Sequence, residues 1–236
     1  MPTIRTRPEN LPTGMLLAGV GGFLDAYTFV GRSGVFANAQ TGNIVLLAVA
    51  AGERQWAAAL LHVPPILAFM LGVAVAETLA RPAARRIVRR PARFVLGAEI
   101  AVLITVGALP RQVPDQVVTA AIAFTSALQV STFRSLQGID YSTTLTTSNL
   151  RTLAAKAYLW RADHDVTAGR QAARISAVVA SFGAGAGVGA LCTHALGPRA
   201  AWVAAAILVL VLAAIVIETE TLSRRNRPRQ SGGHAA

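Results

Sequence analysis

The sequence predicts an all-α polytopic membrane protein with six transmembrane helices plus two re-entrant half-helices, arranged as inverted repeats. Three observations predict it. The 236 residues are 53% hydrophobic and only 14% charged, against about 25% charged in ordinary soluble chains. Eighteen of the 22 Lys and Arg residues fall in four stretches, 5–7, 81–93, 134–174 and 224–229, with long apolar segments between them. A short pattern, Thr41-Gly42-Asn43-Ile44, returns 106 residues later as Thr147-Ser148-Asn149-Leu150.

Taken in order, the expected spans are 13–30, 56–80, 94–109, 115–133, 172–193 and 200–217. Most approach the roughly 20 apolar residues that a bilayer crossing needs. Arg5 and Arg7 precede the first, and Ala37-Asn38-Ala39 faintly resembles a signal cleavage site. Asp25 interrupts the apolar run and the small residues come too late for a secretory signal, so the segment reads as a retained span. In the second span Pro64-Pro65 implies a kinked or broken helix. The third is short and carries Glu99. Two further segments, 36–52 and 141–160, do not read as lipid-facing spans. The apolar run Ile44–Ala51 covers only about 12 Å as a helix, against a hydrocarbon core of about 30 Å. The second segment opens with a Ser/Thr run and continues into Arg151 and Lys156.

Charge decides the threading. If both ambiguous segments crossed, either the six arginines of 81–93 or the tail arginines and the 151–174 stretch would be stranded outside. If both dip in and return, 18 basic residues lie inside and only Arg32, Arg54, Arg111 and Arg199 outside. The positive-inside rule selects the second arrangement. The expected organisation is then a cytoplasmic N-terminus at 1–12, a first membrane repeat at 13–110, a second at 111–222, and a disordered cytoplasmic tail at 223–236. Each repeat contributes three crossings, an odd number, so the second is inverted relative to the first. Inverted repeats with broken helices recur among transporters.

The candidate site follows from the dips. A half-helix that begins inside the membrane leaves backbone N–H groups unpaired, and its positive end favours an anion. Asn38, Gln40, Thr41, Gly42 and Asn43 stand at the start of the first dip, and Thr147, Ser148 and Asn149 at the start of the second. Two ordinary surface N-caps would use the same residue types. Asp25 lies well inside the first span, where an ionisable group is costly and therefore a functional candidate: proton carrier, cation ligand or partner of an arginine. Gln129 holds about the corresponding position in the second half. Arg134 and Arg151 flank the second dip and would either hold an anion, pair with Asp25, or snorkel to the interface. Glu77 and Glu99 are placed near span ends, within reach of the interface. His62 is expected to bond a carbonyl freed by the proline kink.

Cys192 is the single cysteine, so no internal disulfide forms, and it reads as a small packing residue. Gly183, Gly185, Gly187 and Gly189 form overlapping G-x-x-x-G patterns, a face for close helix packing or for a homodimer through Gly183 and Gly187. Ala18 and Gly22 offer a similar face. The net charge of +11 would suggest nucleic acid on a soluble chain. Here the basic residues cap apolar segments, so the expected partners are anionic lipids at the cytoplasmic face, with no nucleic acid. No metalloprotease, nucleophile-elbow or P-loop signature is present. The chain is not expected to be an enzyme, and no cofactor or metal is expected.

The chain resembles the YoaK-like family of bacterial inner-membrane proteins. The resemblance rests on Gly22-Phe23-Leu24-Asp25-Ala26, Phe36, Thr41-Gly42-Asn43, Gln129, Arg134 and Thr147-Ser148-Asn149-Leu150, and covers most of 13–217. Val130 and Ser148 depart from the family pattern, where Asn and Gly are common. The resemblance implies a multi-span protein of the bacterial inner membrane, of a kind labelled as permeases, with no established substrate. The expected function is a transporter or channel for a small polar, anionic-leaning solute, with both termini cytoplasmic. The alternative is a non-transporting membrane protein that binds a lipid or protein partner, its polar residues serving helix packing. An intramembrane enzyme is the least favoured class.

Overall fold

Helix α1, Leu11–Gly31, begins where Asn10 caps it, the side chain accepting from the Thr13 amide at 3.0 Å, with Pro12 in the first turn. It is the central strut of a nearly all-helical chain. The computed structural model describes residues 10–86, 88–110, 112–136, 139–144 and 146–225, without the side chains of Arg85 and 222–225. Arg5, Arg7, Arg111 and the tail beyond Arg225 therefore lie outside the described residues.

After α1 the chain doubles back through an irregular stretch, 32–39, into α2, Gln40–Gly52. Helices α3, Trp56–Leu61, and α4, Val63–Ala80, are one apolar run broken at His62. The break falls immediately before Pro64-Pro65, where the missing amides prevent an unbroken ladder. A single turn, α5 (Pro82–Arg85), leads to α6, Pro91–Ala108, and α7, Asp115–Thr132. A two-residue ladder, β1 (Ser135–Leu136) with β2 (Ile139–Asp140), then precedes α8, Thr146–Asp163. Helix α9, Val166–Leu196, turns through a 3-10 segment, Gly197–Ala200, into α10, Ala201–Arg225.

Four helical stretches are long and apolar enough to cross a membrane: Leu11–Gly31, Trp56–Ala80, Pro91–Ala108 and Val166–Thr221. The last comprises α9 and α10. Helix α7 has 18 residues but is more polar, because Thr119, Thr125, Ser126, Gln129 and Ser131 are turned inward and buried.

Small residues set the packing. Helices α1 and α9 run parallel and very close. A Cβ on Gly22 would strike the Phe182 carbonyl, one on Gly185 would strike Gly19, and one on Gly189 would lie 2.5 Å from the Phe23 carbonyl. Helices α4 and α7 form a second parallel pair, with Gly72 against Phe124 and Ala127. Helix α10 returns along α6, starting with Trp202, whose indole donates to the Ile104 carbonyl at 3.0 Å. A large apolar cluster joins α1, α6, α7 and α10 through Leu17, Phe23, Leu24, Leu103, Ile122 and Leu208. Long-range bonds fix the two ends. Asn10 meets Glu218, and Glu77 meets Arg134, at one end. Arg32 meets Asp115, and Tyr27 meets the Pro198 carbonyl, at the other.

The chain is nearly all helical, as expected, with one two-residue ladder, β1–β2, after α7. Three expectations change. Helix α10 continues to Arg225, so 223–225 are helical rather than disordered tail. Helix α8 is not a half-length piece: its 18 residues cover about 27 Å. Its neighbour α9 has 31 residues, so α8 and the first turns of α9 form a hairpin that projects beyond the start of α1. Glu99 is not near a helix end; it is the ninth of α6's 18 residues and 0% exposed.

Candidate functional site

Gly21 is the eleventh of α1's 21 residues, and both irregular stretches reach it. From one side the Asn38 amide side chain donates to the Gly21 carbonyl at 3.0 Å. From the other, a Cβ on Gly21 would lie 2.7 Å from the Thr143 carbonyl and 3.2 Å from the Thr144 methyl. Helices α2 and α8 therefore both begin at the middle of α1. Helix α2 returns to the Arg32–Asp115 end. Helix α8 returns to the opposite end, antiparallel to α9, with Trp160 against Gly169.

Each entry is held by the same device. Asn43 accepts from the Phe36 amide at 3.0 Å and donates back to the Phe36 carbonyl at 2.8 Å. Asn149 accepts from the Ser142 amide at 3.0 Å and donates to the Ser142 carbonyl at 2.7 Å. Both clamps join a residue to the seventh before it, and both members are displaced by 106 positions. An extended strand entering a helix must satisfy backbone groups that neither element serves, and a side-chain amide supplies one donor and one acceptor for that purpose. Asn43 also donates to the Gln40 side chain at 2.9 Å, and Gln40 in turn donates to the Ala37 carbonyl. His62 does not bond a carbonyl freed by the prolines; its Nδ1 lies 3.3 Å from Asn43 Oδ1.

Asp25 sits one turn beyond Gly21 and is buried. Its Oδ1 accepts from the Asn38 amide at 2.7 Å and the Ala39 amide at 3.4 Å. These are the amides just before α2, so a carboxylate from α1 faces the positive end of α2.

A cavity of about 670 Å³ opens between α1, α2, α8 and α9 at this level. Asp25, Gln40, Thr41, Thr144, Thr146, Thr147 and Ser148 supply its polar atoms, and Phe29, Val30, Phe36, Phe182 and Ala186 its carbon walls. Phe29 and Phe36 stack with centroids 4.6 Å apart. The Asn38 Oδ1, Thr144 Oγ1 and Thr146 Oγ1 atoms are buried without a hydrogen-bond partner. No group of three metal-ligating side chains exists among the described residues.

The structure thus brings Asp25, Gln40, Thr41, Thr147 and Ser148 to one cavity, with Asn38 directly behind Asp25. Gly42 packs against the Phe36 ring, where a Cβ would come within 3.0 Å. Asn43 and Asn149 hold the entries rather than facing the cavity. Gln129 lies elsewhere: with Nε2 turned toward the carboxylate, it donates to Glu99 at 2.7 and 3.0 Å. Arg134 is also apart, pairing with Glu77 at 2.6 Å on the surface instead of with Asp25. Arg32 is 4% exposed and pairs with Asp115 at 3.2 Å. The sequence carries no signal for that pair, whose members stand 83 positions apart, nor for Phe182 and Ala186 as cavity walls. Thr144 and Thr146 were also missed, although the Ser/Thr run that leads into α8 contains both and was the signal that could have found them.

No curated protein and no solved structure matches this chain. Residues 13–214, nearly the whole described bundle, match a family described as a protein of unknown function, DUF1275, and the chain belongs to that family.

Proposed function

We propose that this protein is a multi-pass transporter or channel of the bacterial inner membrane, carrying a small polar solute through the cavity beside Asp25. The observation that carries the reading is the convergence of two helix starts and one buried carboxylate at mid-depth of α1, around a cavity of about 670 Å³. Helix starts expose amide donors, and irregular backbone at membrane depth is tolerated only where protein or water covers it. On this reading α1, α3–α4, α6, α7, α9 and α10 cross, while α2 and α8 are re-entrant. Both termini are cytoplasmic, and the basic stretches of 81–93 and 134–174 face anionic lipid.

The two halves are then inverted repeats. Two features favour this: the Asn43–Phe36 and Asn149–Ser142 clamps share one 106-residue offset, and the parallel pair α1–α9 is mirrored by α7–α4. Such a plan lets one half rock against the other around a fixed central site. Gly185 and Gly189 serve the internal contact with α1. Gly183 and Gly187 meet nothing within 4 Å and would form the face for a second copy.

A second reading is kept by one observation: Asp25 already bonds two backbone amides of its own chain, as a purely structural residue would. In that case the protein binds a lipid or partner without transport. Reconstituted vesicles separate the two. Asp25→Asn should leave insertion and expression intact and reduce solute flux at least tenfold. Unchanged flux would remove Asp25 from the mechanism.

A further inference from the structure

The two helix starts that meet at the cavity are not equally matched, and the mismatch specifies a ligand; this inference rests on the cavity being the solute site. At α2 the positive end is faced by a carboxylate of the chain itself, Asp25, at 2.7 and 3.4 Å from successive amides. A helix start carries roughly half a unit of positive charge, so one carboxylate there is a complete partner. At α8 no carboxylate stands in the corresponding place among the described residues. The residue 106 positions after Asp25 is Ser131, and nearby Gln129 is turned to Glu99. Among the described residues no carboxylate other than Asp25 lines the cavity.

Two hydroxyls stand at the start of α8 instead, each without a hydrogen-bond partner. Thr144 is 4% exposed, and its hydroxyl has no partner; the Thr146 hydroxyl has none either. Both line the cavity. Arg151 lies on the same face of α8 as Thr147 and Ser148, about one turn further along. The remaining wall is carbon, led by the stacked Phe29 and Phe36 rings with Phe182 opposite.

We infer that the cavity takes a small monocarboxylate with an apolar body. Its carboxylate accepts from the Thr144 and Thr146 hydroxyls and the first amides of α8, completing there what Asp25 completes at α2. Its apolar part lies on Phe29 and Phe36. Asp25 already fills the place at the start of α2, which leaves one anion position in the cavity for the solute.

Benzoate, benzamide and benzylammonium share a ring and differ in charge, so they form a direct test. Calorimetric titration of the full-length protein in detergent should show benzoate binding at least tenfold more tightly than benzamide, with no binding of benzylammonium. Thr144→Val combined with Thr146→Val should weaken benzoate tenfold or more and leave benzamide unchanged, whereas Thr144→Ser with Thr146→Ser should restore benzoate. Preference for benzylammonium, no binding of any of the three, or benzoate binding indifferent to the valine pair overturns the assignment. The two readings also fail separately. If a neutral or cationic solute binds and crosses vesicles, the carboxylate assignment falls and transport stands. If benzoate binds and never crosses, transport falls and the carboxylate site stands.

Discussion

Single residues in this protein do work that their chemical type leaves open. Asn43 and Asn149 have the composition of solute ligands, yet each commits its side-chain amide to a backbone pair seven positions earlier. Their role is to hold an extended entry against the first turns of a helix. Asn43→Ala would leave the Phe36 amide and carbonyl without these partners, and each buried orphan group costs about 1–3 kcal/mol. We therefore expect Asn43→Ala and Asn149→Ala each to destabilise the protein by roughly 2 kcal/mol or more, measured by thermal unfolding in detergent. Thr41→Ala, two positions before Asn43 and lining the cavity, should leave unfolding nearly unchanged. Equal stability of all three variants would show that the clamps carry no weight. Asp25 was legible as a candidate because a carboxylate inside an apolar span is expensive. Its partners were not legible, since the Asn38 and Ala39 amides are backbone groups that any sequence could place there.

At the scale of elements, apolar runs announced the helices, and the break before Pro64-Pro65 fell where the proline amides are missing. Which helices pair was not legible. The parallel contact of α1 with α9 depends on glycines at 19, 22, 185 and 189, and in the sequence Gly183 and Gly187 look the same as Gly185 and Gly189. Helical rotation separates them: Gly185 and Gly189 meet α1 backbone, and Gly183 and Gly187 meet nothing. The distinction is testable. Gly185→Val should push α1 from α9 and cost several kcal/mol, as overpacking at a close crossing does, seen as loss of the folded monodisperse peak. Gly183→Val should leave the monomer fold and unfolding temperature intact, while shifting any dimer toward monomer in crosslinking. Equal damage from both would refute the packing described. Helix α7 was legible at 115–133 although it is the more polar of the long helices, because its Thr, Ser and Gln residues are buried against other helices. The length of α8 was hidden: its second half is charged, so hydropathy alone does not show the helix continuing to Asp163.

At the scale of the whole molecule, the question is whether α2 and α8 cross. Both begin level with Gly21, midway along α1, after an extended entry from the end to which the helix returns. A helix that starts at that depth and returns to its own side leaves the chain before and after it on one face of the membrane. Charge composition points the same way, since only this threading keeps 18 of 22 basic residues together. Single cysteines in a Cys192→Ala background make the geometry measurable with a membrane-impermeant maleimide. Ser33→Cys and Glu53→Cys bracket α2, and Asp140→Cys and Asp163→Cys bracket α8; all four positions are exposed. We expect Ser33 and Glu53 positions to label in intact cells, and Asp140, Asp163 and Arg86 positions only after permeabilisation. Eight crossings would split each bracketing pair between the two sides. A split at α2 alone would make it a true span and leave Asp25 capping a transmembrane helix. A split at α8 alone would carry Arg151 and Lys156 through the lipid, at a cost of roughly 3 kcal/mol each on insertion scales. That cost, set against a return path that leaves both residues on the side of the other basic stretches, is why same-side labelling across α8 is the expected result.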